Sequence, residues 1–191
     1  MMDRIELPDA ELGYLARLPL SRPPDEVLQL LIAGTAWRAE TVTVFGRRHL
    51  QPRLSAWHGE RRYTYSGLTL DPLPWTPLLL EIKAAVEAAC GAQFNSVLLN
   101  YYRDGRDSMG MHSDDEPELG PSPVIASVSF GEERAFILRH RTLRQTRKLV
   151  LASGSLLVMR GATQHHWQHG INKSTRPMGP RVNLTFRNIL R

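Results

Sequence analysis

Arg181-Val182-Asn183-Leu184-Thr185-Phe186-Arg187 alternates polar and apolar residues without a break. A period of two sends neighbouring side chains to opposite faces of a strand. Val182, Leu184 and Phe186 therefore mark a core face, and Arg181, Asn183, Thr185 and Arg187 a polar, cationic one. If the cationic face points inward, its charges are costly unless paired, so it implies a bound anion or buried acids. The planar fork of arginine grips a carboxylate with two donors, and Arg181 and Arg187 are spaced to hold opposite ends of a five-carbon diacid. A sheet face turned to water is the other reading of the same pattern.

Outward from this strand, β-branched and aromatic residues recur with the same period between turn signals. The spacing predicts strands at Val97–Tyr102, Ile125–Phe130, Ala135–His140, Leu149–Ala152, Leu156–Arg160, His166–His169 and Val182–Arg187. Breaks fall at Asp104-Gly105, Pro121-Ser122-Pro123, Gly131, Ser153-Gly154, Gly161 and Pro177–Pro180. Two helices are expected before them. Asp25–Ala33 follows Pro23-Pro24, and Pro77–Cys90 has Thr76 as its cap, Pro77 at the favoured first position and Gly91 as its stop. Residues 40–70 read as a hairpin-rich insertion with strands at Val42–Gly46 and Tyr63–Gly67. Many short strands with few helices predict an α+β, mainly β domain: a sandwich or jelly roll with helices packed outside one sheet.

The 191 residues suit one domain with a substantial core. No apolar run reaches the length of a membrane span, and MMDRIELPDAEL lacks the apolar stretch of a signal peptide, so a cytoplasmic, membrane-free protein is expected. Cys90 is the single cysteine, which excludes an internal disulfide and a thiolate metal cluster. The net charge of +5 is concentrated. Arg47, Arg48, Arg53, Arg61 and Arg62 face only Glu60, and Arg134, Arg139, Arg141, Arg144, Arg147 and Lys148 form a run with no acid. Most charge runs are solvated faces; two such runs around one metal motif point to a polyanionic partner.

That motif is His112-Ser113-Asp114, with His169 further on in Gln168-His169-Gly170. Residues i and i+2 share a strand face, so His112 and Asp114 can reach one ion. Two imidazoles and a carboxylate form the facial triad of non-haem Fe(II), with positions open for co-substrate and oxygen. Spacing alone leaves His165, His166 and His169 competing for the third position, and Asp114 and Asp115 for the carboxylate. Asn100 and Tyr102 form a further polar pair on a strand leading to His112. Taken with the arginine-bearing strand, these pieces read as an iron- and 2-oxoglutarate-dependent oxygenase.

LLNYYRDGRDSMGMHSDDE (98–116), PVIASVSFGEERAFILRHR (123–141), GSLLVM (154–159), HWQHGI (166–171) and PRVNLTFR (180–187) occur in the order of the AlkB family of nucleic-acid dealkylating dioxygenases, which the chain resembles over roughly residues 40–191. VFGRRH (44–49) and YTYSGLTLDPLPW (63–75) are most similar to its animal branch acting on duplex DNA. The resemblance implies a double-stranded β-helix (jelly roll) in one dioxygenase domain, 1–191, with an N-terminal extension and helix (1–39), a nucleotide-recognition lid (40–70) and a helix and catalytic core (71–191). It implies His112, Asp114 and His169 as catalytic Fe(II) ligands. Asn100, Tyr102, Arg181, Asn183, Thr185 and Arg187 become the 2-oxoglutarate site, Arg181 and Tyr102 at the distal carboxylate, Arg187 and Asn100 at the end chelated to iron. Tyr63 and Tyr65 fall in the lid, where Tyr65 would stack on a flipped base resting on His112. Asp115 and Glu116 would meet the base edge, Phe45 would fill the gap in the stack, and Arg53 joins the substrate-binding residues. The activity implied is demethylation of bases such as 1-methyladenine and 3-methylcytosine in DNA, by a monomer using O2. An RNA-directed or small-molecule oxygenase, or an inactive damaged-DNA-binding module, are the alternatives.

Overall fold

A computed structural model describes residues 2–44, 47–65 and 68–190. In chain order the strands are β1 (Asp3–Leu7), β2 (Ala10–Leu15), β3 (Thr41–Val44), β4 (Arg47–Leu50), β5 (Leu54–Gly59), β6 (Tyr63–Tyr65), β7 (Leu68–Leu70), β8 (Ser96–Tyr102), β9 (Met109–His112), β10 (Ile125–Gly131), β11 (Arg134–His140), β12 (Thr146–Leu151), β13 (Ser155–Arg160), β14 (Trp167–Ile171) and β15 (Arg181–Arg187). Helix α1 is Pro24–Gly34, α2 is Pro77–Cys90, and α3 is one turn, Thr163–His166.

Eleven of these strands build two antiparallel sheets: seven in the order β1-β2-β13-β10-β15-β8-β5, and four in the order β12-β11-β14-β9. The alternation of each central strand divides the interior in two. Val182, Leu184 and Phe186 of β15, Val97 and Leu99 of β8, and Val128 and Phe130 of β10 meet Leu28 and Leu31 of α1 and Leu79, Ile82 and Val86 of α2. The opposite faces contribute Leu98, Tyr102 and Leu157 to a second core, shared with Phe136, Leu138, Trp167 and Ile171 of the smaller sheet. The fold is therefore the expected mainly-β jelly roll with helices outside one sheet. Its polar face on β15 points between the sheets.

Helix α2 begins and ends where its capping residues lie. Thr76 Oγ1 accepts from the Leu79 amide at 3.3 Å, Pro77 occupies the first turn, and Gly91 closes the helix at φ 63° with its amide on Glu87 O. The predicted strand His166–His169 begins one residue late, because His166 ends the α3 turn and its amide bonds to Ala162 O. Four further strands bear on the site. The β1–β2 hairpin extends the large sheet beside β13. Strand β5, within the stretch read as lid, pairs with β8 at the other end of that sheet, leaving the β3–β4 and β6–β7 hairpins on either side of it in sequence. Strand β9 carries His112 to β14.

Candidate metal centre and co-substrate pocket

His112 ends β9 and is the direct cross-strand partner of His169 on β14, so the sheet itself brings the two imidazoles together, ring centres 4.3 Å apart. Asp114 does not share their strand. β9 stops at His112, and the chain turns so that the Asp114 amide donates to Gln164 Oε1 at 2.9 Å. That turn, rather than the period of a strand, brings the carboxylate in: Asp114 Oδ2 lies 3.6 Å from His169 Nε2, and one donor atom from each residue falls within 4.8 Å of the others.

The protonation states suit a cation. His112 Nδ1 lies 3.0 Å from Gly110 O, a carbonyl that can only accept, so the proton sits on Nδ1 and the lone pair on Nε2. Burial, with the neighbouring His112 adding to it, lowers the His169 imidazole to about 3. Burial works to raise Asp114, but the Arg187 guanidinium and the two histidines outweigh it and hold the carboxyl at about 2. At neutral pH the set is two neutral imidazoles and one carboxylate. Arg187 occupies Asp114 Oδ1 through Nη2 at 2.5 Å and Nε at 3.2 Å. Oδ2, fully buried, has no hydrogen-bond partner among the described residues. A buried carboxylate oxygen left open between two imidazole nitrogens is what a divalent ion satisfies, so the residues fit Fe(II).

The competing residues are placed elsewhere. His165 Nε2 contacts Pro121 O, His166 stacks on His140 at 5.7 Å, and Asp115 Oδ2 accepts from Arg141 Nη2 at 2.9 Å. Asp9, His140 and His166 also cluster. There, however, His140 Nδ1 accepts from the amides of Thr142 and Leu143, which puts its proton on Nε2 facing Asp9 Oδ2 at 3.2 Å. The pair is a hydrogen bond joining the β1–β2 turn to β11, not a ligand set.

The inward face of β15 lines a cavity beside the triad, with Tyr102 and Ser127 on the neighbouring strands and Met109 and Phe136 from the smaller sheet. Arg181 is 1% exposed and has its guanidinium carbon 5.1 Å from the Tyr102 ring centre. Its Nη2 donates to Ser129 Oγ at 2.9 Å, while Nε and Nη1 have no hydrogen-bond partner among the described residues. Burial lowers its pKa, against Tyr102, which raises it. Two unfilled donors on a buried cation fit the carboxylate of 2-oxoglutarate. Asn183 Nδ2 is engaged by Ser127 Oγ and Val128 O, and Thr185 Oγ1 donates to Asn183 Oδ1, so this pair forms a pre-set wall. Asn100 Oδ1 accepts from Arg53 Nε at 2.7 Å, and Arg53, only 5% exposed, also donates to Ser108 O. The expected substrate contact Arg53 is thus a buried brace for Asn100.

The aromatic expectations have less structure behind them. Phe45 lies outside the described residues. Tyr63 and Tyr65 are on β6, opposite Leu70 and Leu68 of β7, and their side chains lie outside the described residues. Glu116 immediately precedes a short 3-10 turn, Pro117–Leu119. Gln164, which holds the Asp114 amide, and Arg141, which ties Ser113 and Asp115 together, were missed. Both act across long separations in sequence, where no local pattern marks them.

Comparisons with known proteins agree with this geometry. Residues 24–187 match the family model described as the 2OG-Fe(II) oxygenase superfamily. The chain is 43% identical over 175 residues to the bovine "Alpha-ketoglutarate-dependent dioxygenase alkB homolog 3", covering 86% of this chain and 61% of that protein. It is 48% identical over 159 residues to the mouse "DNA oxidative demethylase ALKBH2", covering 78% and 66%. The chain thus spans about three-fifths to two-thirds of the length of these relatives. A solved structure titled "The structure of OsALKBH1" superimposes with a TM-score of 0.66 at 17% identity over 97% of this chain and 100% of that one, which supports the fold. The chain belongs to the 2OG-Fe(II) oxygenase superfamily and, within it, to the AlkB family. That family implies Fe(II), 2-oxoglutarate and O2, and the His112–Asp114–His169 set fits the iron.

Proposed function

We propose that this chain is a DNA repair dioxygenase that removes N-methyl groups from bases such as 1-methyladenine and 3-methylcytosine, releasing formaldehyde. The carrying observation is the His112–Asp114–His169 set, half-buried at His112 and buried at the other two, with its open carboxylate oxygen, next to the unfilled donors of Arg181. Relatives named as a dioxygenase and as a DNA oxidative demethylase support the reading.

Fe(II) with 2-oxoglutarate and O2 supplies oxidation of the N-methyl carbon, whose hydroxymethyl product breaks down to formaldehyde and the repaired base. The chain's own residues bind, orient and exclude water. His112, Asp114 and His169 hold the metal; Arg181 and Tyr102 take the distal carboxylate of 2-oxoglutarate; Arg187 fixes Asp114. A base inside a duplex cannot reach this buried site and must be flipped out, costing about a few kcal/mol. Stacking on Tyr65, and filling of the gap by Phe45, would offset roughly 1–3 kcal/mol per base. Asp115 and Glu116 suit a cationic methylated ring, and the two arginine runs suit phosphates. The protein is proposed to act as a cytoplasmic monomer on alkylated DNA. No helix among the described residues is long and apolar enough to cross a membrane.

The test is formaldehyde release from 1-methyladenine and 3-methylcytosine in single-stranded DNA, duplex DNA and RNA. The wild type is expected to release it from DNA with 2-oxoglutarate present. Release from RNA alone would move the assignment to an RNA demethylase. Substrate binding without formaldehyde or succinate would make the chain a binding module.

A further inference from the structure

Tyr102 of β8 and Arg181 of β15 are direct cross-strand partners at one end of the cavity. A second buried guanidinium reaches the same ring: Arg134, the first residue of β11, is 2% exposed and has its guanidinium carbon 5.7 Å from the Tyr102 ring centre. Its donors end on backbone carbonyls from two separate loops. Nη1 donates to Asp104 O at 3.1 Å, and Nη2 to Asp107 O at 2.9 Å and Asn172 O at 2.7 Å. The carboxylates of those loops are turned away, Asp104 to Arg106 and Asp107 to Arg103. Among the described residues, neither Arg134 nor Arg181 has a carboxylate partner.

These loops also press on each other. The Ser174 amide donates to Gly105 O at 2.7 Å, and a Cβ at Gly105 would stand 2.8 Å from Ser174 O. Arg134 is the fork that ties the pair together, with its guanidinium beside the Tyr102 ring. Two buried cations near one ring repel each other, and burying them without counter-charge is costly. An anion placed at Arg181 relieves both.

We infer that Arg134 is a positioning residue for the co-substrate: it ties together the two loops that carry Asp104, Asp107 and Asn172 and adds a second buried positive charge beside Tyr102, so that the pocket selects a 2-oxo acid carrying a distal carboxylate. The inference rests on the assignment of Arg181 to that carboxylate. It makes the selective element a pair of arginines near one tyrosine ring, rather than Arg181 alone. Lysine at position 134 would keep the charge but could not span three carbonyls.

The experiment compares two ligands on the full chain loaded with Mn(II) and kept free of oxygen. Calorimetry measures binding of 2-oxoglutarate and of pyruvate, which shares the 2-oxo acid head and lacks the distal carboxylate. Wild type is expected to prefer 2-oxoglutarate. Arg134→Gln should shrink that preference about tenfold, with the pyruvate and Mn(II) dissociation constants unchanged within about twofold, and Arg134→Lys should fall between the two. Equal weakening of both ligands, or an unchanged preference with a lower melting temperature, would overturn the inference and leave Arg134 a structural brace. If the glutamine variant does not fold, the lysine variant decides by the same ratio. Failure of wild type to bind 2-oxoglutarate would overturn the co-substrate assignment, and this inference with it; absence of demethylation would leave the binding comparison standing.

Discussion

Arg187 closes on Asp114, its Nη2 2.5 Å from Oδ1, both side chains essentially buried. The arginine expected at the chelated end of 2-oxoglutarate also pairs with the carboxylate of the candidate metal set, leaving Oδ2 3.6 Å from His169 Nε2. Removing one partner of a buried pair strands the other charge, at about 3–5 kcal/mol. Arg187→Met should therefore lower the stability of the metal-free protein by about that amount, read by urea unfolding. Saturating Mn(II) should recover part of the loss, because the ion replaces the missing positive charge. A loss below about 1 kcal/mol, the range of a surface pair, would contradict this account.

The same centre predicts how stability depends on pH. His169 is lowered to about 3 in the folded protein from an ordinary value of 6.5, chiefly by burial. Between those values the unfolded chain holds a proton that the folded chain does not, so stability rises with pH across that window. It is fully present above about 6.5 and drains as pH falls toward 3. Asp114, held at about 2 against an ordinary 3.8, adds a loss in the same direction below about pH 4. The metal-free protein should melt at a clearly lower temperature at pH 5 than at pH 8; equal melting temperatures would count against neutral buried imidazoles. Because the ligands are already deprotonated, Mn(II) binding at pH 7 should release less than about half a proton per ion, measured by calorimetry in buffers of different ionisation enthalpy.

What was legible in the sequence had a local cause. β15 was readable because its two faces meet different surroundings, the helix-side core and the cavity, and α2 because Thr76, Pro77 and Gly91 mark its ends. β5 was not, since Ser55, Ala56, Trp57 and His58 are all buried and leave no alternation to see. The turn that delivers Asp114 depends on Gln164, fifty positions away, and the Arg187–Asp114 pair spans seventy-three. Motif resemblance could select His169 over His165 and His166; the physical reason is the cross-strand register with His112, which exists only once the strands pair.

Gly131 couples the backbone to the co-substrate pocket. It sits at φ 90° opposite Arg181, and a Cβ there would meet Pro180 O at 2.3 Å and Leu28 Cδ2 at 2.9 Å. Gly131→Ala should cost about 1–3 kcal/mol through that strain and clash. It should also weaken 2-oxoglutarate binding, since the chain that must move leads directly into Arg181. Gly34→Ala is the matched control: nothing lies within 4 Å of its Cβ, and the change should be neutral or stabilising by about 0.4–1 kcal/mol. Chemical denaturation and calorimetric titration of both variants separate strain from loss of the pocket, and unaltered 2-oxoglutarate affinity in Gly131→Ala would break the link.

Arg141 braces Asp115, the acid proposed to meet the base. One nitrogen, Nη2, donates to Ser113 Oγ at 2.8 Å and Asp115 Oδ2 at 2.9 Å, and the Ser113 hydroxyl passes the bond on to Trp167 O. The ion pair is well exposed, at 39% and 45% of the side chains, so its loss should change stability by no more than about 1 kcal/mol. Its effect should lie in selectivity. With Arg141 present, a cationic methylated base competes with a guanidinium for Asp115; in Arg141→Ala it becomes the acid's main positive partner. The ratio of kcat/KM for 1-methyladenine to that for neutral ethenoadenine should rise in the variant, while substrate-free turnover of 2-oxoglutarate stays at the wild-type level. A parallel fall for both bases would instead mark Arg141 as a phosphate contact and take Asp115 out of base discrimination.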